Sequence, residues 1–270
     1  MSVQITAAMV NELRARTGQG MMECKKMLQE TAGDIQKAID EFRKRGVKSS
    51  ITERVSGEGR VHAGVSGDRK TAAAVAILCN TDFTARSEPM TQLLAKAVAK
   101  LLDNPSASLE QDAEIQGDIT SMAQTTGENV KLGKVVTLQN PEGVTGAYVY
   151  PITSKIGVLM ALRGKADEEL IRSLGGHISF ARPLGLTRDA IPADLVARER
   201  ELAVEAAKAT GKPQQIAEKI AEGKLNSFFA ERVLLDQEFF NPQAFKGTVG
   251  AMLKQAGVEL LRYERVEIGK

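Results

Sequence analysis

The hydrophobic period of this chain changes near residue 60, and that change constrains the fold more than any count of residues does. Up to residue 46 apolar side chains recur at helical spacing, about 3.6 residues per turn. Met9, Val10 and Leu13 mark one face, and Met21, Cys24, Met27 and Leu28 mark a second. Ile35, Ala38, Ile39 and Phe42 follow i, i+3, i+4, i+7 on a third. Thr6 can cap the first helix, Thr17-Gly18-Gln19-Gly20 breaks the chain, and Gly33-Asp34 ends one helix and caps the next. Arg43-Lys44-Arg45 suit a helix C-terminus, and Gly46 closes the unit. Residues 1–46 are therefore expected to form a three-helix module, too small for much stability alone. The polar stretch 47–57 reads as a linker.

Beyond it the period is two. Val61–Val65, the turn Ser66-Gly67-Asp68 and Ala72–Leu78 predict a β-hairpin. Leu93, Leu94, Ala97, Val98, Leu101 and Leu102 predict a helix that stops before Pro105. The sequence then repeats itself weakly. Val144–Val149 and Ile156–Leu162 flank a turn at Ser154-Lys155, and a helix starts near Ala166-Asp167 with Leu170, Ile171, Leu174 and Ile178 inward. Gly64…Val75-Ala76-Ile77-Leu78 parallels Gly146…Val158-Leu159-Met160-Ala161. The expected class is α+β, with antiparallel sheets in two duplicated core subdomains. One is 58–140; the other is 141–190 together with 240–270, closed by a helix at Thr248–Leu253 and a strand within 258–268. Residues 191–239 interrupt the second as a helical hairpin. Leu195, Val196, Leu202, Ala203, Ala206 and Ala209 line one helix, Gly211-Lys212-Pro213 turns, and Ile216, Ala217, Ile220 and Ala221 line the return. It has little bulk to bury and is expected to project.

Composition removes several function classes. Lys+Arg and Asp+Glu number 36 and 34, a formal net charge of +2, without the basic excess of a nucleic-acid surface. The two Cys and two His (Cys24, Cys79, His62, His177) are scattered, so neither a zinc site nor a disulfide framework is expected. No apolar run approaches the ~18 residues of a membrane span, and Met1–Gln4 leads directly into a helix without the basic start and apolar run of a signal peptide. A cytoplasmic protein is expected. Gly57-Glu58-Gly59 lacks the third Gly of a phosphate-binding loop, and no nucleophile elbow occurs. No catalytic constellation can be named.

Four local features remain. Met21 and Met22 are adjacent, so they cannot share a helix face; spacing alone puts one in the core, and the other reading is an adaptable partner contact. In Cys79-Asn80-Thr81-Asp82-Phe83, Thr81 can cap a short helix. Pattern alone sends Phe83 to the core and Asp82 to the helix dipole; the alternative is an exposed carboxylate and aromatic wedge. His177 follows Gly175-Gly176, which permit close approach of another backbone, and as a lone His it reads as a satisfied residue before a catalyst. Ile156-Gly157 reads as a strand with a glycine bulge.

These residues, in this order, resemble the elongation factor Ts family of bacteria and organelles. The resemblance is carried by Leu13-Arg14-Ala15-Arg16-Thr17-Gly18-Gln19-Gly20-Met21-Met22-Glu23-Cys24-Lys25-Lys26, by Gly33-Asp34-Ile35…Ala38-Ile39, by Cys79-Asn80-Thr81-Asp82-Phe83, and by Gly211-Lys212-Pro213…Ile216-Ala217-Glu218-Lys219-Ile220. It covers nearly the whole chain. It implies a ubiquitin-associated-like module at 1–46 that docks on the translational GTPase elongation factor Tu, in its GDP-bound and nucleotide-free states. Arg14, Met21, Met22 and Cys24 stand at contact positions. It implies that Asp82 and Phe83 intrude near the bound magnesium, and that Ile156, Gly157 and His177 contact the GTPase from the second subdomain. The hairpin resembles the family's coiled-coil protrusion, implicated in self-association or accessory contacts. Thr84 departs from the pattern, standing where an apolar residue often follows the Asp-Phe pair. The chain ends at Lys270, where some members continue into a further helical module, so the remaining contacts are expected to carry more of the affinity. The implied function is guanine nucleotide exchange in translation elongation, without bond chemistry of its own, cofactor, metal, nucleic acid or membrane.

Two other readings compete. An adaptor would bind its partners through residues 1–46 alone. An enzyme built on His177 would need a pocket and a perturbed imidazole there.

Overall fold

The computed structural model describes residues 5–17, 19–44, 57–208 and 214–269. Gly18, the close of the first module from Arg45, the linker up to Ser56 and the turn at 210–213 lie outside them.

Two three-stranded antiparallel sheets stack face to face. The first has the order β1-β2-β3, with β1 at Glu58–Val65, β2 at Thr71–Cys79 and β3 at Lys131–Gln139. The second has the order β4-β5-β6, with β4 at Val144–Val149, β5 at Ile156–Arg163 and β6 at Glu259–Glu267. The alternation within β2 explains the stacking. Ala73, Val75, Ile77 and Cys79 point to a helical layer, whereas Ala72, Ala74 and Ala76 point to the other sheet. The fully buried intersheet side chains of β2 are thus alanines, with Leu78 packing at the strand's end, and Leu159, Ala161 and Val266 meet them from the second sheet. A Cβ at Gly157 would lie 2.7 Å from Val61 Cγ1, so only glycine fits where β5 crosses β1. The expected bulge at Gly157 is absent there: the register shift in this ladder falls between Ala161 and Leu162.

Helices cover both outer faces. α5 (Glu88–Asp103) and α6 (Ala113–Thr126) bury Met90, Leu94, Leu101, Ile115 and Ile119 against the first sheet. α7 (Glu168–Ala181) and α10 (Val249–Gln255) bury Leu174, Ile178, Val249 and Leu253 against the second. Caps follow the sequence: Asp167 accepts from Leu170 N–H, and Thr248 accepts from Ala251 N–H. Both halves run strand, strand, helices, strand. The mixed α+β class with antiparallel sheets is as expected.

Helices α1 (Ala7–Thr17), α2 (Met21–Glu30) and α3 (Ile35–Lys44) share a core of Val10, Leu13, Cys24, Met27, Leu28, Ala38 and Phe42. The helix pair α8 (Ala193–Lys208) and α9 (Gln214–Arg232) meets through small residues, with Ala203, Ala207 and Ala221 buried. Leu202 and Ile216, expected on the apolar seam, are exposed. The expected hairpin segment 191–239 takes in more than this pair. Leu234 and Phe239 belong to the core beside the second sheet, because the chain after α9 bridges Val233 to Gly185 and Glu238 to Thr248.

Candidate functional site

The Asp82-Phe83 tip is built from the end of β2 and the short helix α4 (Asp82–Arg86). Thr81 is the cap, its hydroxyl accepting from Thr84 N–H at 3.3 Å. Thr84 and Ala85 turn inward and are buried. With that side of the short helix turned inward, Asp82, Phe83 and Arg86 are left on the solvent side. Phe83 is 85% exposed, against the expectation from pattern that it lies in the core. Asp82 is exposed beside Arg86, 3.9 Å away.

The tip is held from behind by Glu128. One carboxylate oxygen accepts from Asn80 N–H at 2.9 Å and Thr81 N–H at 3.1 Å. The other accepts from the Thr81 and Thr84 hydroxyls at 2.6 and 2.7 Å. Burial raises the Glu128 pKa, but these bonds favour the charged form and leave it below the ordinary carboxylate value. Below the tip, burial pushes the Cys79 thiol up to about 11, and it donates to Thr81 C=O at 3.2 Å.

A groove of about 700 Å³ separates the tip from the β4–β5 turn, lined by Thr81, Asp82, Arg86, Ile152, Thr153 and Lys155 among others. Ile152 is exposed on its far wall. Beyond it lies an aromatic patch that sequence reasoning missed. Tyr150 meets Phe180 edge-on with centroids 5.3 Å apart, and Phe180 stacks on Phe240 at 6.3 Å. Phe180 and Phe240 are 61% and 48% exposed, in a chain with only eight Phe. The available signal was Phe180 falling one residue off the inward series Leu174, Ile178.

His177 lies beneath this patch and is 1% exposed, so it is no surface contact. Nδ1 accepts from Phe240 N–H at 3.2 Å, which leaves Nε2–H to donate to Gln237 Oε1 at 3.0 Å. Its ring stacks on Phe239, centroids 5.7 Å apart. Burial pushes its pKa below the ordinary value, with the Gln237 bond acting the other way. Both ring nitrogens are engaged, which leaves none for acid–base chemistry on a substrate. The close approach that Gly175 permits is to a side chain and not a backbone: a Cβ there would overlap Tyr148. Gly157 is buried between the sheets and Ile156 is half-buried.

In the three-helix module both Met21 and Met22 face solvent, 54% and 75% exposed, where spacing alone expected one inside. Arg14 is exposed on α1. Cys24 is fully buried, its Sγ 3.8 Å from Thr17 Oγ1, and burial raises its pKa. It supports the methionine face and does not form part of it. Among the described residues no group of three or more His, Cys, Asp or Glu is placed to hold a metal, and no helix is long and apolar enough to cross a membrane.

The family profile described as elongation factor TS matches residues 80–270, from the Asp82-Phe83 tip to the end of the chain. Curated relatives extend the match to the N-terminal module. The chain is 35% identical to the elongation factor Ts of Methylococcus capsulatus, over 99% of this chain and 93% of the relative. It is 37% identical to that of Photorhabdus laumondii, over 98% and 93%. This chain belongs to the elongation factor Ts family. It is thus a translation elongation factor.

Proposed function

We propose that this protein is the guanine nucleotide exchange factor of elongation factor Tu: it binds the GDP-bound GTPase, disturbs the magnesium and phosphate site, and promotes GDP release. The observation that carries this reading is an exposed Phe beside an exposed carboxylate, on a tip whose backbone is fixed by Glu128. Covering so large an aromatic with a partner yields ~1.5–3 kcal/mol. Asp82 and Phe83 are the wedge. Arg14, Met21 and Met22 form the docking face of the first module, with Cys24 behind them. Ile152, Phe180 and Phe240 form a second face, shaped from beneath by His177 and flanked by Ile156, while Gly157 lets the two sheets approach and does not reach the surface.

The mechanism is linkage. A factor that prefers the nucleotide-free GTPase must weaken GDP binding by the same factor. A shift of ~10⁴-fold needs ~5.5 kcal/mol of differential binding. Burial of one Phe supplies ~1.5–3 kcal/mol, so the wedge and the displaced magnesium ligands must share the load. No bond is made or broken, and the protein needs no cofactor, nucleic acid or membrane for this role.

The domain division follows from this assignment: 1–46 docks, 47–57 tethers, 58–140 carries the wedge, and 141–190 with 240–270 carries the second face. Residues 191–239 are set apart as the protrusion, although 233–239 pack with the second half. Leu202 and Ile216 on its helices support self-association there, which a Leu202→Glu, Ile216→Glu variant would abolish in sedimentation. The exchange reading is tested by mixing the protein with elongation factor Tu preloaded with fluorescent GDP. Release should accelerate with factor concentration to a plateau. An unchanged release rate at micromolar factor refutes the assignment.

A further inference from the structure

The wedge side chains have no packing of their own, and of their helix only Ala85 joins the apolar core. α4 is five residues long, and Phe83 is almost fully in water. A helix of that length is not stable by itself, so something else must fix the direction in which Phe83 projects. We infer that Glu128 is the positioning residue of the wedge: its carboxylate ties the turn at 80–84 to the end of α6 and so sets the orientation of Asp82 and Phe83. The inference rests on the exchange reading and goes one residue deeper.

The geometry is reciprocal. Gly127 ends α6 in the left-handed region, φ 68°, and the chain reverses there to present Glu128 to the tip. Glu128 accepts from two backbone N–H groups and two hydroxyls of residues 80–84, while Asn80 Oδ1 accepts in return from Asn129 N–H at 2.7 Å. Hydrogen bonds to an ionised acceptor are stronger than neutral ones. The Thr81 hydroxyl is used twice, accepting from Thr84 N–H and donating to Glu128. The Thr84 bond matters most for direction. It holds Thr84 inward beside the buried Ala85, and with that side of the helix turned in, Phe83 is left outside. Thr84, which departs from the family pattern, is thus matched to Glu128.

The test uses the full chain and its Phe83→Ala, Glu128→Ala and Glu128→Gln variants, titrated into elongation factor Tu loaded with fluorescent GDP. Thermal unfolding and amide exchange over 79–86 are measured alongside. Glu128→Ala should lower the saturating release rate about tenfold. Its half-saturating concentration should stay within about twofold, since the docking faces are untouched. Amides 80 and 81 should exchange faster while the thermal transition holds. Glu128→Gln should fall between, because its amide oxygen still accepts the two backbone N–H groups. A wild-type plateau for Glu128→Ala, with Phe83→Ala impaired, overturns the positioning role and leaves the exchange reading standing. If Glu128→Ala fails to fold, Glu128→Gln decides: a lowered plateau at an unchanged thermal transition supports the role, and a wild-type plateau overturns it. A wild-type plateau for Phe83→Ala overturns the positioning role, because there is then no wedge to position, whereas release that the wild-type factor does not accelerate overturns the exchange reading itself.

Discussion

Each half of the core exposes aromatic surface, but the two halves hold it differently. In the first, a single Phe83 stands on a short helix, fixed by a charged carboxylate that bonds to backbone and hydroxyls. In the second, Phe180 and Phe240 lie side by side over a buried neutral His177, which bonds to Phe240 N–H and Gln237. The first arrangement is a projection with little surface and a defined direction. The second is a platform with more surface and no point. A wedge acts on its partner's conformation, whereas a platform contributes affinity that is the same before and after the nucleotide leaves.

That contrast can be broken by stability measurements. His177→Ala should cost ~3 kcal/mol in urea unfolding, since it leaves a cavity and strips Gln237 and Phe240 N–H of their partner in a buried setting. Phe83→Ala removes a larger side chain, yet should stay within ~0.5 kcal/mol, because that side chain is exposed. Equal costs would mean that the wedge is part of the core.

Acid sharpens the same difference. Burial holds the folded His177 pKa below its ordinary value near 6.5, so above that value both folded and unfolded forms are neutral and the stability is fully present. As pH falls through 6.5 the unfolded chain takes up a proton that the native one refuses, and stability drops until the folded pKa is passed. His62, also shifted down by burial and by Arg60, adds to the slope. A loss of stability between pH 7.5 and 5.5 is expected, and His177→Gln should reduce it. A flat profile would contradict the buried neutral imidazole.

The smallest effect is expected at the platform. Phe240→Ala should change stability by less than ~1 kcal/mol and raise the half-saturating factor concentration about threefold, with the plateau unaltered.

Much of this fold was readable from period and caps. The change from helical to alternating spacing near residue 60, the Thr81 and Asp167 caps and the paired hairpins all gave elements where they occur. β3 was not read, because it is an edge strand of mostly half-exposed residues, broken by exposed Lys131 and Lys134. α6 was missed as well, since Gly117 and several Ser and Thr dilute its apolar face. At the site, sequence named Asp82 and Phe83 but pattern alone sent Phe83 inward. What turns it outward is Thr84 reaching a carboxylate 44 residues away, a contact no local window contains. His177 was the reverse case: noticed as an isolated imidazole, it proved to be buried support for aromatics that had drawn no attention.

The central claim is that the tip drives release while the platform only binds. The most direct test is a full titration of GDP release for Phe83→Ala beside the wild-type protein. The account predicts a plateau lowered about tenfold to a hundredfold, the worth of one buried Phe, with binding to the nucleotide-free GTPase largely kept. A wild-type plateau reached at higher Phe83→Ala concentration would contradict it, and would make Phe83 another docking contact.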